Sequence, residues 1–234
     1  MSPTQTSPTQ IQVVTGTDTG VGKTIVTAAL AVRAVAAGQR VAVLKPAQTG
    51  TAAFEPGEVS DVDAIRRLVG PGVTTETLAE FPDPLSPYAA AEVAGLPQLY
   101  LADALEAVAK LAVDHDLVLI EGAGGVLVPM GFAGWTIADL AIALRAPAVV
   151  VARAGLGTIN HTALTLEALA RRGVAASVVI GSWPAHPALV HTRNLTDLAN
   201  LANVPGGVIG RIPEGAGALT PTEFRAGAAT WIIR

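Results

Sequence analysis

The segment Val13-Val14-Thr15-Gly16-Thr17-Asp18-Thr19-Gly20-Val21-Gly22-Lys23-Thr24 constrains this chain more than any other. A β-branched run ends in a glycine-rich turn, and the turn ends in Gly-Lys-Thr. An alanine-rich stretch with helical periodicity follows, from Ile25 to about Ala37. This strand–loop–helix context is the one a phosphate-binding loop requires. Backbone N–H groups from Gly20 through Val21, Gly22, Lys23, Thr24 and Ile25 would face phosphate oxygens, with the helix N-terminus adding partial positive charge. Lys23 would reach the β- and γ-phosphates, and the Thr24 hydroxyl would bind Mg²⁺. Five residues separate Gly16 from Gly22, one more than the strict G-x-x-x-x-G-K-[ST] spacing. The alternative is an ordinary glycine-rich turn.

The chain has 234 residues, within the range of one domain. Half of it is hydrophobic but only 4% is aromatic. Its core must therefore be built from Ala, Val, Leu and Ile, which suits helices packed closely on a parallel sheet. With a formal charge of −4 and no basic block, nucleic acid is not an expected partner. The absence of cysteine excludes disulfides, zinc–cysteine sites and a cysteine nucleophile, and fits a cytoplasmic location. No apolar run approaches ~20 residues, so no membrane span is expected. Residues 1–10, rich in Ser, Thr, Pro and Gln, read as a disordered tail rather than a signal peptide. Residues 11–234 read as one domain.

Apolar runs at 11–15, 40–44, 117–120, 148–152, 177–181 and 208–211 predict strands, several of them buried on both faces. Helical stretches at 22–37, 62–69, 97–113, 137–144, 158–171 and 187–201 alternate with them. The pattern predicts an α/β fold with a doubly wound, mostly parallel sheet flanked by helices. Residues 51–92, with five prolines, form the main irregular region. Long connections at the carboxyl ends of strands are where such folds bind ligands.

Three further segments carry chemistry. Lys45 closes the second strand, which Pro46 is expected to stop, and Gln48-Thr49-Gly50 follows at once. A lysine at that edge can hold a phosphate or carboxylate. Asp116-Leu117-Val118-Leu119-Ile120-Glu121 is an apolar strand ending in an acid, before Gly122-Ala123-Gly124-Gly125. Such a carboxylate can complete a Mg²⁺ shell beside the loop. Asp61 and Asp63 open a helical stretch, either as further metal ligands or simply as first-turn acids beside a Ser60 cap. Gly155-Leu156-Gly157-Thr158-Ile159-Asn160-His161 is a last glycine loop leading into a helix.

Together these segments resemble dethiobiotin synthetase. The resemblance rests on Gly16 to Thr24, Lys45-Pro-x-x-Thr-Gly50, Ser86-Pro87 with Ala89-Ala90-Ala91, Glu121-Gly-Ala-Gly-Gly125, and Gly155-x-Gly-Thr-x-Asn-His161, in that order from about residue 11 to 214. It implies an ATP- and Mg²⁺-dependent enzyme of biotin synthesis that carboxylates 7,8-diaminononanoate with CO₂ and closes the ring. The steps are a carbamate, then a carbamic-phosphoric anhydride, then dethiobiotin with ADP and phosphate. It implies Lys45, Lys23 and Thr19 as catalytic groups. Substrate would be held by Thr49, Ser86, Gly124 and Gly125, and nucleotide also by Asp61, Glu121, Gly122, Ala123 and Gly124. Thr24, Asp61 and Glu121 would form the metal set, with Asp61 favoured over Asp63. A homodimer is implied, in which Gly155, Thr158 and Asn160 of the second subunit hold the substrate carboxylate. Many relatives read adenine with an asparagine after the fifth strand, where this chain has Gly181-Ser182-Trp183-Pro184. Gly181, Ser182 and the loop Pro213-Glu214-Gly215 would take over that task, leaving CTP as an alternative to ATP. A partitioning-type ATPase and a cobyrinate-type amidotransferase share the loop. The first usually has a lysine where this chain has Asp18, and the second needs a nucleophilic cysteine.

Overall fold

The computed structural model describes residues 8–53, 59–201 and 207–233. Most of the expected N-terminal tail, residues 1–7, lies outside the described residues; the last of its residues, Gln10, already belongs to the first strand. Seven parallel strands form one sheet in the order β3-β2-β4-β1-β5-β6-β7. They are β1 (Gln10–Gly16), β2 (Val41–Thr49), β3 (Val73–Phe81), β4 (Leu117–Gly125), β5 (Ala148–Ala152), β6 (Ala176–Trp183) and β7 (Val208–Pro213). All five residues of β5 and the first eight of β2 are buried, as expected of strands covered on both faces.

The chain leaves β1 toward β2 and β3, returns to β4, then crosses to β5, β6 and β7 on the other side. The reversal puts a crevice at the carboxyl end of β1, where open α/β sheets bind ligands.

Helices α1 (Lys23–Ala36), α2 (Asp61–Val69) and α8 (Pro221–Trp231) cover one face of the sheet. On the other face pack α3 (Pro87–Ala94), α4 (Leu101–Asp114), α5 (Ile137–Leu144) and α6 (Thr158–Ala170); α7 (Leu189–Ala199) lies beside α6 and β7. Every residue of α1 from Val26 to Val32 is buried, because the helix lies between the sheet and two other helices. Its alanines permit that close approach.

Two expectations are corrected, and a C-terminal helix is added to those expected. The region 51–92 is not irregular throughout, since it contains β3 and α3. β3 reads Val-Thr-Thr-Glu-Thr-Leu-Ala-Glu-Phe and is only half buried as an edge strand, so it lacks an apolar run. Pro46 does not stop β2, which continues to Thr49 on β3. Pairing with β4 ends at Leu44, so the missing N–H of Pro46 costs no bond on that side. The added helix is α8, which begins with a Thr220–Glu223 capping box and Pro221 in its first turn. Those are start signals, but the weakly apolar stretch after them obscured the helix.

Among the described residues, no helix is long and apolar enough to cross a membrane.

Candidate active site

The loop after β1 opens onto a cavity of about 770 Å³. Its shape depends on Gly22, which has φ +97°. A Cβ there would also lie 2.7 Å from the Gly181 carbonyl oxygen. Gly22 caps α1 without a side-chain hydrogen bond, and no acid stands in the first turn. The first N–H groups of α1 therefore remain available to an anion.

Four side chains converge below the loop. The Thr24 hydroxyl lies 2.8 Å from Asp61 Oδ1 and 3.0 Å from Glu121 Oε1. Lys45 Nζ lies 2.7 Å from Asp61 Oδ2 and donates to Glu121 Oε1 at 3.0 Å and the Gly122 carbonyl at 3.1 Å. The three ammonium protons thus have three acceptors. Burial alone would push the Lys45 pKa down, but the carboxylates of Glu121 and Asp61 hold it above the ordinary lysine value. Burial likewise opposes ionisation of Asp61, yet Lys45, Thr24 and Lys23 keep its carboxyl below the usual range. Lys23 Nζ donates to the Asp18 carbonyl at 3.0 Å. Burial, reinforced by Lys45, pulls its pKa below the usual value.

The oxygens of Thr24, Asp61 and Glu121 are the hard donors that Mg²⁺ prefers. Glu121 is fully buried and its Oε2 has no hydrogen-bond partner, which leaves an acceptor for a cation. Among the described residues, no three His, Cys, Asp or Glu cluster as a metal cage. This donor set therefore suits an ion that keeps waters or phosphate oxygens in its shell. Asp63 points elsewhere. It bonds Ser60 and Arg66, while the Ser60 hydroxyl accepts from the Asp63 N–H at 3.2 Å.

The cavity wall includes Thr19, Gly20, Gly22, Lys23, Thr24, Ile25, Lys45, Thr49, Asp61, Ser86, Glu121, Ala123 and Gly124. Other expected residues lie outside it. Val21 is buried within the loop, Gly122 packs on Ile137, and Gly125 pairs with Gly16. Gly181 is pressed against the loop backbone, where a Cβ would come 1.9 Å from the Val21 carbonyl oxygen. Ser182 is exposed, as are Pro213, Glu214 and Gly215. The Glu214 N–H donates to the Trp183 carbonyl at 2.8 Å, and the Arg211 guanidinium lies 4.9 Å above the Trp183 ring. The ends of β6 and β7 are thereby tied together.

Gly155, Thr158 and Asn160 stand away from this cavity. The Gly155 carbonyl accepts from Asn194, Thr158 is buried against Thr162, and Asn160 is exposed.

Among the residues that the sequence left unassigned, Gln48 and Arg153 make polar contacts at the site. Gln48 lines the cavity and its Oε1 accepts from the Asp61 N–H at 3.1 Å. It stands inside the Lys45–Gly50 segment, which was the available signal. Arg153 bridges Asp18 (3.2 Å) and the Thr19 carbonyl (3.0 Å) from beyond β5, and nothing in the sequence pointed to it.

A family model described as an AAA domain matches residues 11–220. The ATP-dependent dethiobiotin synthetase BioD of Streptomyces avermitilis is 55% identical over 223 residues, 95% of this chain and 91% of that protein. That of Rhodococcus jostii is 54% identical over 222 residues, 94% of each. That of Mycobacterium avium is 49% identical, over 94% of this chain and 93% of its own. Among solved structures, the septum site-determining protein MinD complexed with Mg-ADP, from Pyrococcus horikoshii, superposes with a TM-score of 0.56 at 15% identity, covering 96% of this chain and 93% of that one. That likeness concerns the fold.

Proposed function

This chain belongs to the ATP-dependent dethiobiotin synthetase family, and from that premise we propose how its cleft performs the reaction. It is a ligase of biotin biosynthesis that forms dethiobiotin at the expense of ATP. The substrates are 7,8-diaminononanoate and CO₂. One unprotonated amine of the substrate captures CO₂ as a carbamate. A carbamate oxygen attacks the γ-phosphorus, and ADP leaves. The second amine attacks the activated carbonyl, closes the five-membered urea and expels phosphate.

The observation that carries this reading is a second buried cation. Lys45, on β2, stands in the same cavity as Lys23, at the start of α1, with its charge held by two carboxylates. A carbamate and a γ-phosphate are both anionic, so their approach needs positive charge between them. Lys23 serves the phosphate side and Lys45 the carbamate side. Thr19 and Thr49 orient the carbamate or amine, while Ser86 and the backbone at Gly124 bound the substrate, with Gly125 behind that wall in its pairing with Gly16. Thr24, Asp61 and Glu121 hold Mg²⁺, which supplies neutralisation of the β- and γ-phosphates.

The nucleotide base lies toward Ser182 and the Pro213–Gly215 loop, where backbone groups replace the side-chain reader of many relatives. ATP is the co-substrate, and CTP is the alternative this backbone reading leaves open. The enzyme is a cytoplasmic homodimer of single-domain subunits. Gly155, Thr158 and Asn160 of the second subunit take the substrate carboxylate. In support, these residues lie outside their own cavity, and Leu156 between them is 90% exposed.

The test is product formation. Purified protein is mixed with Mg²⁺, bicarbonate and 7,8-diaminononanoate, with ATP or CTP in turn, and dethiobiotin is followed by mass spectrometry. Product with ATP is expected, and the CTP rate measures base selection. Nucleotide binding without product would refute the reading.

A further inference from the structure

The two carboxylates below the loop are positioned by different means. Glu121 stands in β4, an interior strand paired with β1 and β2. Asp61 is the first residue of α2, a nine-residue helix that follows the connection from β2. A first-turn residue has no intrahelical partner for its N–H. Ser60 satisfies the Asp63 N–H of that turn. The Asp61 N–H is taken by Gln48 Oε1 at 3.1 Å. Gln48 is 7% exposed, and its Nε2 donates to the Thr49 carbonyl at 3.2 Å, which orients the amide. Its strand also delivers Lys45, bonded to the Asp61 carboxylate.

Resting on the reading of Asp61 as a metal ligand, we infer that Gln48 is the positioning residue that registers Asp61 for the divalent cation. It bonds the Asp61 backbone, so both carboxylate oxygens stay free to face Thr24, Lys45 and the ion. Without it, the hydrogen bonds that tie Asp61 to the cleft among the described residues are those of its carboxylate to Thr24 and Lys45, and these are the contacts that must rearrange when a cation enters. Partners of this kind, one bond removed from the metal, typically tune affinity by about 10–100-fold.

The experiment uses Mn²⁺ as probe. Its binding to the protein–ADP complex is measured by electron paramagnetic resonance for wild type, Gln48→Met, Gln48→Glu and Asp61→Asn. ADP binding in EDTA is measured alongside. Gln48→Met is expected to weaken Mn²⁺ binding by about 10–100-fold and to leave metal-free ADP binding unchanged. In turnover it should raise the Mg²⁺ requirement, with kcat largely recovered at saturating Mg²⁺. Gln48→Glu keeps an acceptor oxygen for the Asp61 N–H but loses the donor to the Thr49 carbonyl, and should bind Mn²⁺ more tightly than Gln48→Met. The inference is overturned if Gln48→Met binds Mn²⁺ normally while Asp61→Asn does not. It is equally overturned if Gln48→Glu loses as much as Gln48→Met. Unchanged Mn²⁺ binding in Asp61→Asn would instead overturn the metal-ligand reading, and this inference with it.

Discussion

Replacing Lys45 with Met tests the electrostatic account of the cleft directly, since the side chain stays unbranched, loses one atom of length and loses its charge. In the structure Lys45 is 5% exposed, Glu121 fully buried and Asp61 30% exposed. The variant removes the cation bonded to both carboxylates and leaves Lys23 as the remaining nearby positive charge, while the Thr24 hydroxyl can donate to only one of them. Breaking a buried ion pair from one side costs about 3–5 kcal/mol. Partial solvation of Asp61 puts this case at the lower end, about 3 kcal/mol. For a chain of this size that is a fall in Tm of roughly 6–12 °C. The assay is thermal and urea unfolding in EDTA. Two further results are expected. Mg²⁺ should restore part of the loss, because a dication at Thr24, Asp61 and Glu121 neutralises the same oxygens. Adding Glu121→Gln to Lys45→Met should recover stability relative to Lys45→Met alone, because it removes the orphaned charge. An unchanged midpoint for Lys45→Met in EDTA, or strictly additive losses in the double variant, would refute the reasoning. Turnover should fall by about 10²–10³ or more, as for removal of a transition-state contact.

Gly181→Ala should destabilise the protein by about 3 kcal/mol, at the upper end for overpacking, since the new methyl would meet the backbone of Val21 at 1.9 Å; calorimetry and ADP affinity should fall together, and loss of only one would separate Gly181 from the loop. Asn160→Ala should raise the KM for the diamine more than that for ATP, with an equal change in both counting against a carboxylate site there. The Arg40 side chain and backbone N–H hold the Asp116 carboxyl at about 2. A depressed pKa gives stability that is present above the unfolded value of 3.8 and lost as pH falls through about 2. Arg40→Ala should move the Asp116 midpoint upward in an NMR titration, though not fully to 3.8, because the backbone N–H remains; an unmoved midpoint would contradict the pairing.

Much of this architecture was legible from local signals. The strand–loop–helix at Gly16–Thr24, the apolar runs of β4 and β5, and the acid at Glu121 each declare themselves within about ten residues. Burial on both faces demands uninterrupted apolar strands, and the loop demands glycines at fixed places. The edge strand β3 was not legible, because one exposed side relaxes that demand and Thr-Thr-Glu-Thr reads as loop. Pro46 misled for a related reason: whether a proline breaks a strand depends on which neighbour its missing N–H would have met.

The sequence by itself determined the fold class, the phosphate-binding loop and the candidates Lys45 and Glu121, since these follow from periodicity and spacing along the chain, while other cleft residues were implied by the family resemblance. Periodicity and spacing left Asp61 and Asp63 equal, the family resemblance favoured Asp61, and the tertiary structure supplies the physical reason. Asp61 and Asp63 are two residues apart and chemically equal, yet only Asp61 meets Thr24 and Lys45, because the helical turn sends Asp63 outward to Arg66. Tertiary structure alone decided that Gly181 abuts the loop and that Gln48 reaches Asp61. Such contacts join residues far apart in the chain, and their identity depends on how strands and helices stack, which no local pattern encodes.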